Sequence, residues 1–502
     1  MLAWTIYLSF AGAFLLALLP KGRPALARWV ALAVAVAGLA LGVQGFAAGM
    51  GQPRTVLVDL PWVPSMGIHF LLAADGISRV LVLLTGLAAV AGVLFSWNIE
   101  LRTNEFFAFF LALIGGVYGV FLSFDLFLLF VFYEIAIVPK YFLIAIWGST
   151  RREYAAMKLA LYSFAGSAMV LIGLLAAYTT AGSHSTSLVD LAHAGLPASF
   201  QMWCFPLVFT GFAILAGMWP FHTWAPTGHV AAPTAASMLL AGVVMKLGAY
   251  GCLRVAIGLF PRGLDPWGFS LIGIGSWRDV FALLAIIGIV YGALVALAQT
   301  DFKFVIGYSS VSHMGFVLLG LMTLNQIGVT GAVMQMFSHG IIAGLLFAIV
   351  GRIVYERTHT RQLAELETMH LSKRLPFAAG AFVVAGAASM GLPGFSGFWA
   401  EVQILIGAWM VQPWWVVAAG VGIVVGVAYT WRAMQKAFFA DALPTPDEHP
   451  RTGWPKFAAI TWPEVTGVSL LLGASLLVGV WPRVLLDAIE PAVKALLAGG
   501  VQ

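Results

Sequence analysis

The chain has 502 residues, of which 61% are hydrophobic and only 9% are charged, and its formal net charge is +5. A soluble domain carries about 25% charged residues, so this composition excludes an ordinary water-soluble protein and favours one dissolved in lipid. The basic surplus does not indicate nucleic-acid binding, because in a membrane protein the position of the basic residues matters more than their sum.

Apolar runs long enough to cross a bilayer recur along the whole chain. A helix needs about 20 apolar residues to cross a hydrocarbon core, whereas a transmembrane strand would alternate in polarity over about 10 residues. We therefore predict an all-α polytopic membrane protein with about fourteen transmembrane helices, the first retained rather than cleaved as a signal peptide. The predicted spans are 3–20, 27–47, 75–97, 105–123, 125–147, 157–180, 203–219, 231–258, 279–298, 304–324, 330–354, 377–407, 413–432 and 465–482.

Basic residues divide unequally between the two sides of these spans. Seventeen of the 26 lysines and arginines fall in alternate loops, which we call the basic face, six fall on the opposite face, and Arg79, Lys140 and Lys246 lie within or at the edge of a span. The positive-inside rule predicts that the basic face is cytoplasmic and that both termini lie outside. The basic face comprises Lys21 to Arg28, Arg102, Arg151 to Lys158, Lys303, Arg352 to Arg374, and Arg432 to Lys456.

Neither a metal nor a redox centre is predicted on this chain. Its two thiols, Cys204 and Cys252, cannot supply the four ligands of an iron–sulfur cluster or a closed zinc site. No Gly-rich phosphate loop lies between a strand and a helix. The most polar loop segment, 444–451, has the composition of a solvated connector.

Proline and glycine interrupt three of the predicted helices. The interruptions are Pro139 in the fifth span, Pro220 at the end of the seventh, and Gly391 to Gly394 with Gly397 in the twelfth. Backbone groups freed at that depth must be satisfied by protein or water, and broken helices in transporters commonly mark ion sites. The breaks in the seventh and twelfth spans lie five helices apart, which suggests two related five-helix units.

Ionisable residues inside the spans are the main functional signal, because a charge in hydrocarbon is costly unless it is paired or hydrated. Burial raises the pKa of an acid and lowers that of a lysine, an opposite charge reverses both effects, and histidine titrates near neutrality, so such groups can exchange protons. The alternative is that the acids and lysines are fixed ties between helices and the histidines are satisfied core residues. The candidate residues are Glu134, Lys140, Lys246, His313, His339 and Glu401, with His222 and His229 beside the break after the seventh span.

Five further charged positions have more modest interpretations. Asp75 and Arg79 are spaced for an i, i+4 pair at the start of the third span. Asp125 is expected to cap a helix N-terminus. Asp301 and Lys303 lie in a tight turn on the basic face and could either be solvated or form the mouth of a channel.

Motifs across residues 75–440 resemble those of the antiporter-like subunits of respiratory complex I, the proton-pumping NADH:quinone oxidoreductase. Among these subunits, the chain resembles the M type. The longer L type carries a lateral helix after its last bundle helices, and here only about twenty residues follow the fourteenth span. The motifs are Tyr133-Glu134 through Pro139 to Leu143; Pro220-Phe221-His222-Thr223-Trp224 with His229 and Ala232-Pro233-Thr234; Leu240-Ala241-Gly242 through Lys246 to Arg254; Ala298 to Lys303; Tyr308 to Gly315; Tyr355-Glu356-Arg357 with His359-Thr360-Arg361; and Gly391 to Gly394 with Glu401.

The resemblance implies a role for each matched residue. Glu134 would be the acid of the proton channel on the fifth helix, Lys246 the central lysine, Glu401 the residue near the exit, and His313 and His339 relay histidines. It also implies fourteen helices with two inverted five-helix repeats, at 101–259 and 277–437, between three N-terminal helices in 1–100 and a loop with a last helix in 438–502. NADH, FMN, iron–sulfur clusters and quinone would belong to partner subunits, and the partners would include L-type and N-type subunits in a bacterial inner membrane.

One departure from the resemblance concerns the partner of Glu134. The family usually has a lysine in the seventh helix shortly before the Pro-x-His-x-Trp motif, whereas residues 214–218 here contain none. Lys140 is the candidate replacement from the same helix as Glu134. Six helical positions correspond to about 240°, so the two side chains would interact only through a distorted turn or a bridging group.

Three functions therefore stay open at this stage. The first is a proton-translocating subunit of NADH:quinone oxidoreductase. The second is a subunit of a multisubunit Na⁺/H⁺ antiporter or a membrane-bound hydrogenase, which would use the same helices without NADH oxidation. The third is a structural spacer with a closed channel, an option that the missing lysine makes relevant.

Overall fold

The computed structural model describes residues 1–20, 22–182, 185–268, 274–440 and 457–499. Within these ranges, twelve helices are long and apolar enough to cross a membrane. The fold class predicted from the sequence, an all-α polytopic membrane protein, is confirmed. The predicted connector at 444–451 lies outside the described residues.

The helices follow the predicted spans closely. Twelve of those spans coincide with the long apolar helices, while the first and the twelfth coincide with shorter ones. The total of fourteen crossings and the inverted repeats remain predictions. The helices are α1 (Ala3–Leu18), α2 (Pro24–Ala48), α3 (Gly76–Phe95), α4 (Thr103–Leu122), α5 (Leu126–Trp147), α6 (Arg152–Ala181), α7 (Leu188–His193), α8 (Ala198–Ala216), α9 (Trp224–Ala231), α10 (Thr234–Ile257), α11 (Trp277–Ala298), α12 (Phe302–Met322), α13 (Gln326–Thr358), α14 (Leu363–Glu367), α15 (Leu371–Arg374), α16 (Pro376–Ser389), α17 (Ser396–Trp409), α18 (Pro413–Phe439), α19 (Trp462–Val480) and α20 (Arg483–Leu497).

Two of the three predicted interruptions are present. The chain leaves helical structure between α8 and α9, after Gly217 at φ +83°, and between α16 and α17, where Gly391 and Gly394 have φ values of +71° and +97°. Only glycine adopts these left-handed conformations readily. The third interruption was wrong: Pro139 lies inside α5, which continues to its predicted end, because neighbouring groups can satisfy the carbonyl that a proline frees.

Two surface elements had no counterpart in the sequence prediction. Strands β1 (Arg54–Val63) and β2 (Ile68–Asp75) form an antiparallel hairpin in the loop before α3. Its β-branched residues and Gly67, at φ +64° in the turn, were the available signal. The amphipathic helix α20 packs its apolar side on α3 and α13, with a buried set of Leu485, Ile489, Val493 and Leu496 that has helical spacing.

A buried ion pair joins the start of α3 to the end of α10. Asp75 caps α3 by accepting a hydrogen bond from Ser78 N at 2.9 Å, and it also pairs with Arg254. The expected Asp75–Arg79 pair was wrong: Arg79 instead donates to the carbonyl of Gln52 at 3.0 Å and to other groups of the hairpin loop. The sequence could not show this because Arg254 and Asp75 meet only when the helices pack. Asp125 caps α5 as predicted, with its Oδ1 2.9 Å from Leu128 N.

Replacing Arg254 by Met should destabilise the fold strongly. The substitution leaves the carboxylate of Asp75 buried without its cation, which costs about 3–5 kcal/mol. Thermal unfolding of the purified protein in detergent measures the effect. Arg262→Met is the matched control, because the Arg262–Asp265 pair is exposed and should change the melting temperature little. Equal shifts for the two variants would contradict this role for the buried pair.

A candidate site of buried acids, lysines and histidines

Lys246 occupies the centre of α10, on a helix whose geometry is locally altered. Residues Leu240–Val244 form a π-helical segment immediately before it, and such segments often occur at functional sites because they release a carbonyl from the regular pattern. The ammonium of Lys246 donates a hydrogen bond to the carbonyl of Ala241 within this segment. Lys246 is completely buried, so the altered backbone supplies a polar partner where water does not reach.

From Lys246 a line of polar side chains crosses three other helices. Lys246 Nζ lies 2.7 Å from Nδ1 of His339 on α13, and the ring of His339 lies 5.5 Å from that of His313 on α12. His313 Nδ1 lies 3.4 Å from Glu401 Oε1 on α17. Four predicted residues that are separated widely in sequence therefore form one connected series, Lys246–His339–His313–Glu401.

A small cavity and several polar side chains border this series. Gln335 Nε2 lies 3.3 Å from His313 Nδ1, and Ser389 Oγ lies 3.4 Å from His313 Nε2. The cavity between His313, His339 and Glu401 has a volume of about 10 Å³, close to the minimum that holds one water molecule. Gln335 and Ser389 were not predicted, because each is an ordinary polar residue until packing places it beside a histidine.

The break between α16 and α17 positions Glu401. A Cβ atom on Gly391 would lie 2.7 Å from Glu401 Oε2, so the backbone of the break approaches the carboxylate directly. Glu401 is 7% exposed. The backbone of the break therefore lies against the carboxylate of Glu401 and limits where that side chain can lie.

His229 and His222 lie beside the break between α8 and α10, in different surroundings. His229 is fully buried, its ring stacks on Phe347 at 4.9 Å, and both Lys246 and Lys303 are close enough to influence it electrostatically. His222 is also buried, but its ring contacts Tyr291 at 5.2 Å and Tyr308 at 6.3 Å. Among the described residues, neither histidine has a side-chain hydrogen-bond partner, and each lies beside a backbone group, that of Pro220 for His222 and that of Ser237 for His229. His229 thus lies near the Lys246 series, and His222 lies against α11 and α12.

Glu134 and Lys140 belong to α5, and both lie against the same face of α6. Lys140 is 1% exposed, and its Nζ donates to Ser163 Oγ at 3.2 Å. The carboxyl group of Glu134 interacts with the hydroxyl of Ser167 and electrostatically with Lys140, while Oε1 is buried without a hydrogen-bond partner among the described residues. Ser163 and Ser167 occupy successive turns of α6, so one hydroxyl lies beside the base and the other beside the acid. Their i, i+4 spacing was the signal that sequence analysis missed.

Replacing Gly391 by Ala should disturb Glu401 specifically. The new methyl group would strain a backbone at φ +71° and meet the carboxylate. Gly394→Ala is the matched control, because it introduces comparable strain at φ +97° with no heavy atom within 4 Å. We expect the rate of ion translocation in reconstituted vesicles to fall several-fold further in G391A than in G394A. Equal translocation rates for G391A and G394A would show that the contact between residue 391 and Glu401 does not affect translocation.

Comparisons with known proteins agree along nearly the whole chain. The sequence profile described as NADH:quinone oxidoreductase/Mrp antiporter, TM, matches residues 123–426. NADH-quinone oxidoreductase subunit M of Rhodobacter capsulatus is 36% identical over 98% of this chain and 95% of its own length. The subunit M of Pseudomonas aeruginosa is 37% identical over 97% and 95%. A chain of respiratory complex I from Thermus thermophilus with bound NADH has a TM-score of 0.88 at 27% identity and covers 99% of both chains.

Proposed function

We propose a function from one premise, which is that the chain belongs to the NADH:quinone oxidoreductase/Mrp antiporter transmembrane family. It acts as an M-type, antiporter-like membrane subunit of a proton-pumping NADH:quinone oxidoreductase. In this function it is a subunit of a translocase, and electron transfer takes place on partner subunits. The observation that supports the proposal most directly is the connected series Lys246–His339–His313–Glu401.

The geometry of this series suits stepwise proton transfer. The ammonium of Lys246 can release a proton to His339 across their 2.7 Å contact. His339 can pass a proton to His313 through a water molecule, since no hydrogen bond joins the two rings among the described residues. Glu401 accepts the proton at the end of the series, which is the role that the resemblance implies for it.

Glu134 and Lys140 form the corresponding acid and base in the first half of the chain. Ser163 contacts the lysine and Ser167 contacts the glutamate, with no direct contact between the two charges among the described residues. Separation of the pair favours a protonated glutamate and a neutral lysine, and pairing reverses this. Lys140 thereby takes the place of the lysine missing from the seventh span, and His222 is a further candidate beside the break.

The wider arrangement follows from the same proposal. Both termini lie on the outer side of a bacterial inner membrane, and the two five-helix units at 101–259 and 277–437 are inverted repeats. L-type and N-type subunits are neighbours in the membrane. NADH, FMN, iron–sulfur clusters and quinone are bound by partner subunits.

Replacing Lys246 by Ala should abolish proton pumping or reduce it sharply in the assembled complex, because no other described ammonium contacts His339. Pumping is measured in inverted membrane vesicles as acidification of the lumen during NADH oxidation. Lys436→Ala is the control, since Lys436 forms an exposed pair with Glu367 on the basic face and should retain pumping. Unchanged pumping by assembled K246A would favour the structural-spacer function. Sodium-driven transport without NADH oxidation would favour the antiporter alternative.

Lys140→Met and Ser163→Ala should also lower pumping, with the lysine variant more severe. Removing the hydroxyl of Ser163 breaks the only hydrogen bond that the described residues make with the ammonium of Lys140. Ser9→Ala is the matched control, because Ser9 is buried and donates only to the carbonyl of Thr5 on its own helix. Normal pumping by both K140M and S163A would rule out Lys140 as the replacement for the missing lysine.

A further inference from the structure

A cavity of about 170 Å³, lined by both polar and apolar residues, opens at the basic face beside the break between α9 and α10. Its rim includes the exposed residues Asn98 and Glu356. Its floor includes Lys303 and Ala232, which are 4% and 1% exposed. A volume of this size holds several water molecules, so the cavity can carry solvent from the membrane surface to a buried ammonium group.

The break between α9 and α10 explains why a lysine lies at the floor. Carbonyl groups at the end of α9 lack helical partners, and three side chains or backbone groups bind them. Arg361 Nη1 donates to Val230 O at 3.0 Å, Ser149 N donates to Ala231 O at 2.7 Å, and Lys303 Nζ donates to Ala232 O at 3.1 Å. Of these three donors, Lys303 carries the charge that can be lost by deprotonation, because a guanidinium stays protonated.

Charges around Lys303 leave its ammonium facing the cavity and the interior. Asp301, two residues earlier, is ion-paired with Arg361 at 3.3 Å and accepts the backbone N–H of Lys303 at 2.8 Å. The side chain of Lys303 bonds to a carbonyl instead. Its charge is therefore stabilised by hydrogen bonding and the cavity rather than by a bonded carboxylate.

His229 lies between this floor and the Lys246 series. Three contacts follow one another along α13: Lys246 with His339, the ring of His229 with Phe347, and Lys303 Cε with the backbone at Gly351. His229 is fully buried, and among the described residues the backbone of Ser237 is the polar group beside its ring. A buried imidazole between two lysines is well suited to accept and release protons.

We propose that this cavity is a water-filled vestibule through which protons reach the channel from the basic face, with Lys303 as the first protein group and His229 as the next. The proposal rests on the proposed function and adds a site for proton uptake. The ammonium of Lys303 gives a proton to a ring nitrogen of His229, and the resulting amine takes a proton from hydronium in the cavity, which becomes water. His229 then gives up one proton towards Lys246 and returns to the neutral state.

The structural alternative is that Lys303 only caps the C-terminal end of α9, where a cation is favourable. Two substitutions separate the roles. Lys303→Arg keeps the positive charge and the hydrogen-bond donors but cannot lose its proton. Lys303→Met removes the charge, the donors and the exchangeable proton. The capping role of Lys303 is therefore preserved in K303R, whereas its role as a proton carrier is lost in both variants.

The first experiment measures NADH-driven pumping by the assembled complex in inverted vesicles, with K246A alongside. We expect both Lys303 variants to lower the pumping rate by about tenfold or more, as for loss of a general acid–base group. Normal pumping in K303R overturns the proposal and leaves the cap. If K303M fails to assemble, K303R alone decides. Loss of pumping in K246A with normal pumping in K303R keeps the proposed function and rejects only the vestibule.

The second experiment tests the water-filled cavity without reference to pumping. Thr234→Cys places a thiol on the cavity wall, and Thr85→Cys places one at a fully buried position on α3. The native thiols of Cys204 and Cys252 are fully buried, so the background is low. A charged, membrane-impermeant methanethiosulfonate added at the basic face should modify T234C at least about tenfold faster than T85C, because modification needs an accessible thiolate. Equal slow rates overturn the vestibule.

Discussion

The structure depends on the requirement that backbone polar groups in hydrocarbon find a partner inside the protein. At the end of α9 the freed carbonyls bind Arg361, Ser149 and Lys303. At the π-helical segment of α10 a carbonyl binds Lys246. The carbonyls that broken helices free thus hold cations at defined depths, because a buried cation and an unpaired carbonyl satisfy each other's hydrogen bonding.

The two halves of the candidate pathway differ in how their charges are connected. In the second half, Lys246 and Glu401 are joined through two histidines on neighbouring helices. In the first half, Glu134 and Lys140 lie on the same helix, and each has a serine of α6 beside it. A hydroxyl orients a proton but does not hold a charge, whereas a histidine can do both.

Proton movement through such a series needs a directional input. The relatives of this chain are subunits of NADH-quinone oxidoreductase, so neighbouring subunits are a source for that input. The buried charges are close enough to affect one another along the interior. A change of charge at one end can therefore alter proton affinity at the next group, which is the simplest physical means by which a neighbouring subunit could drive this one.

The sequence by itself determined the fold class, the helix positions, the breaks after the seventh span and within the twelfth, and the ionisable residues. Long apolar runs are rare outside membrane proteins, and a charge within such a run is costly unless it has a function or a partner. Packing alone decided which residues meet. Arg254 pairs with Asp75, while Arg79 binds the hairpin loop, and Ser163 is a partner of Lys140. A sequence pattern reports periodicity along one helix, whereas contacts between helices depend on how each is rotated and crossed, and that information exists only in the tertiary structure.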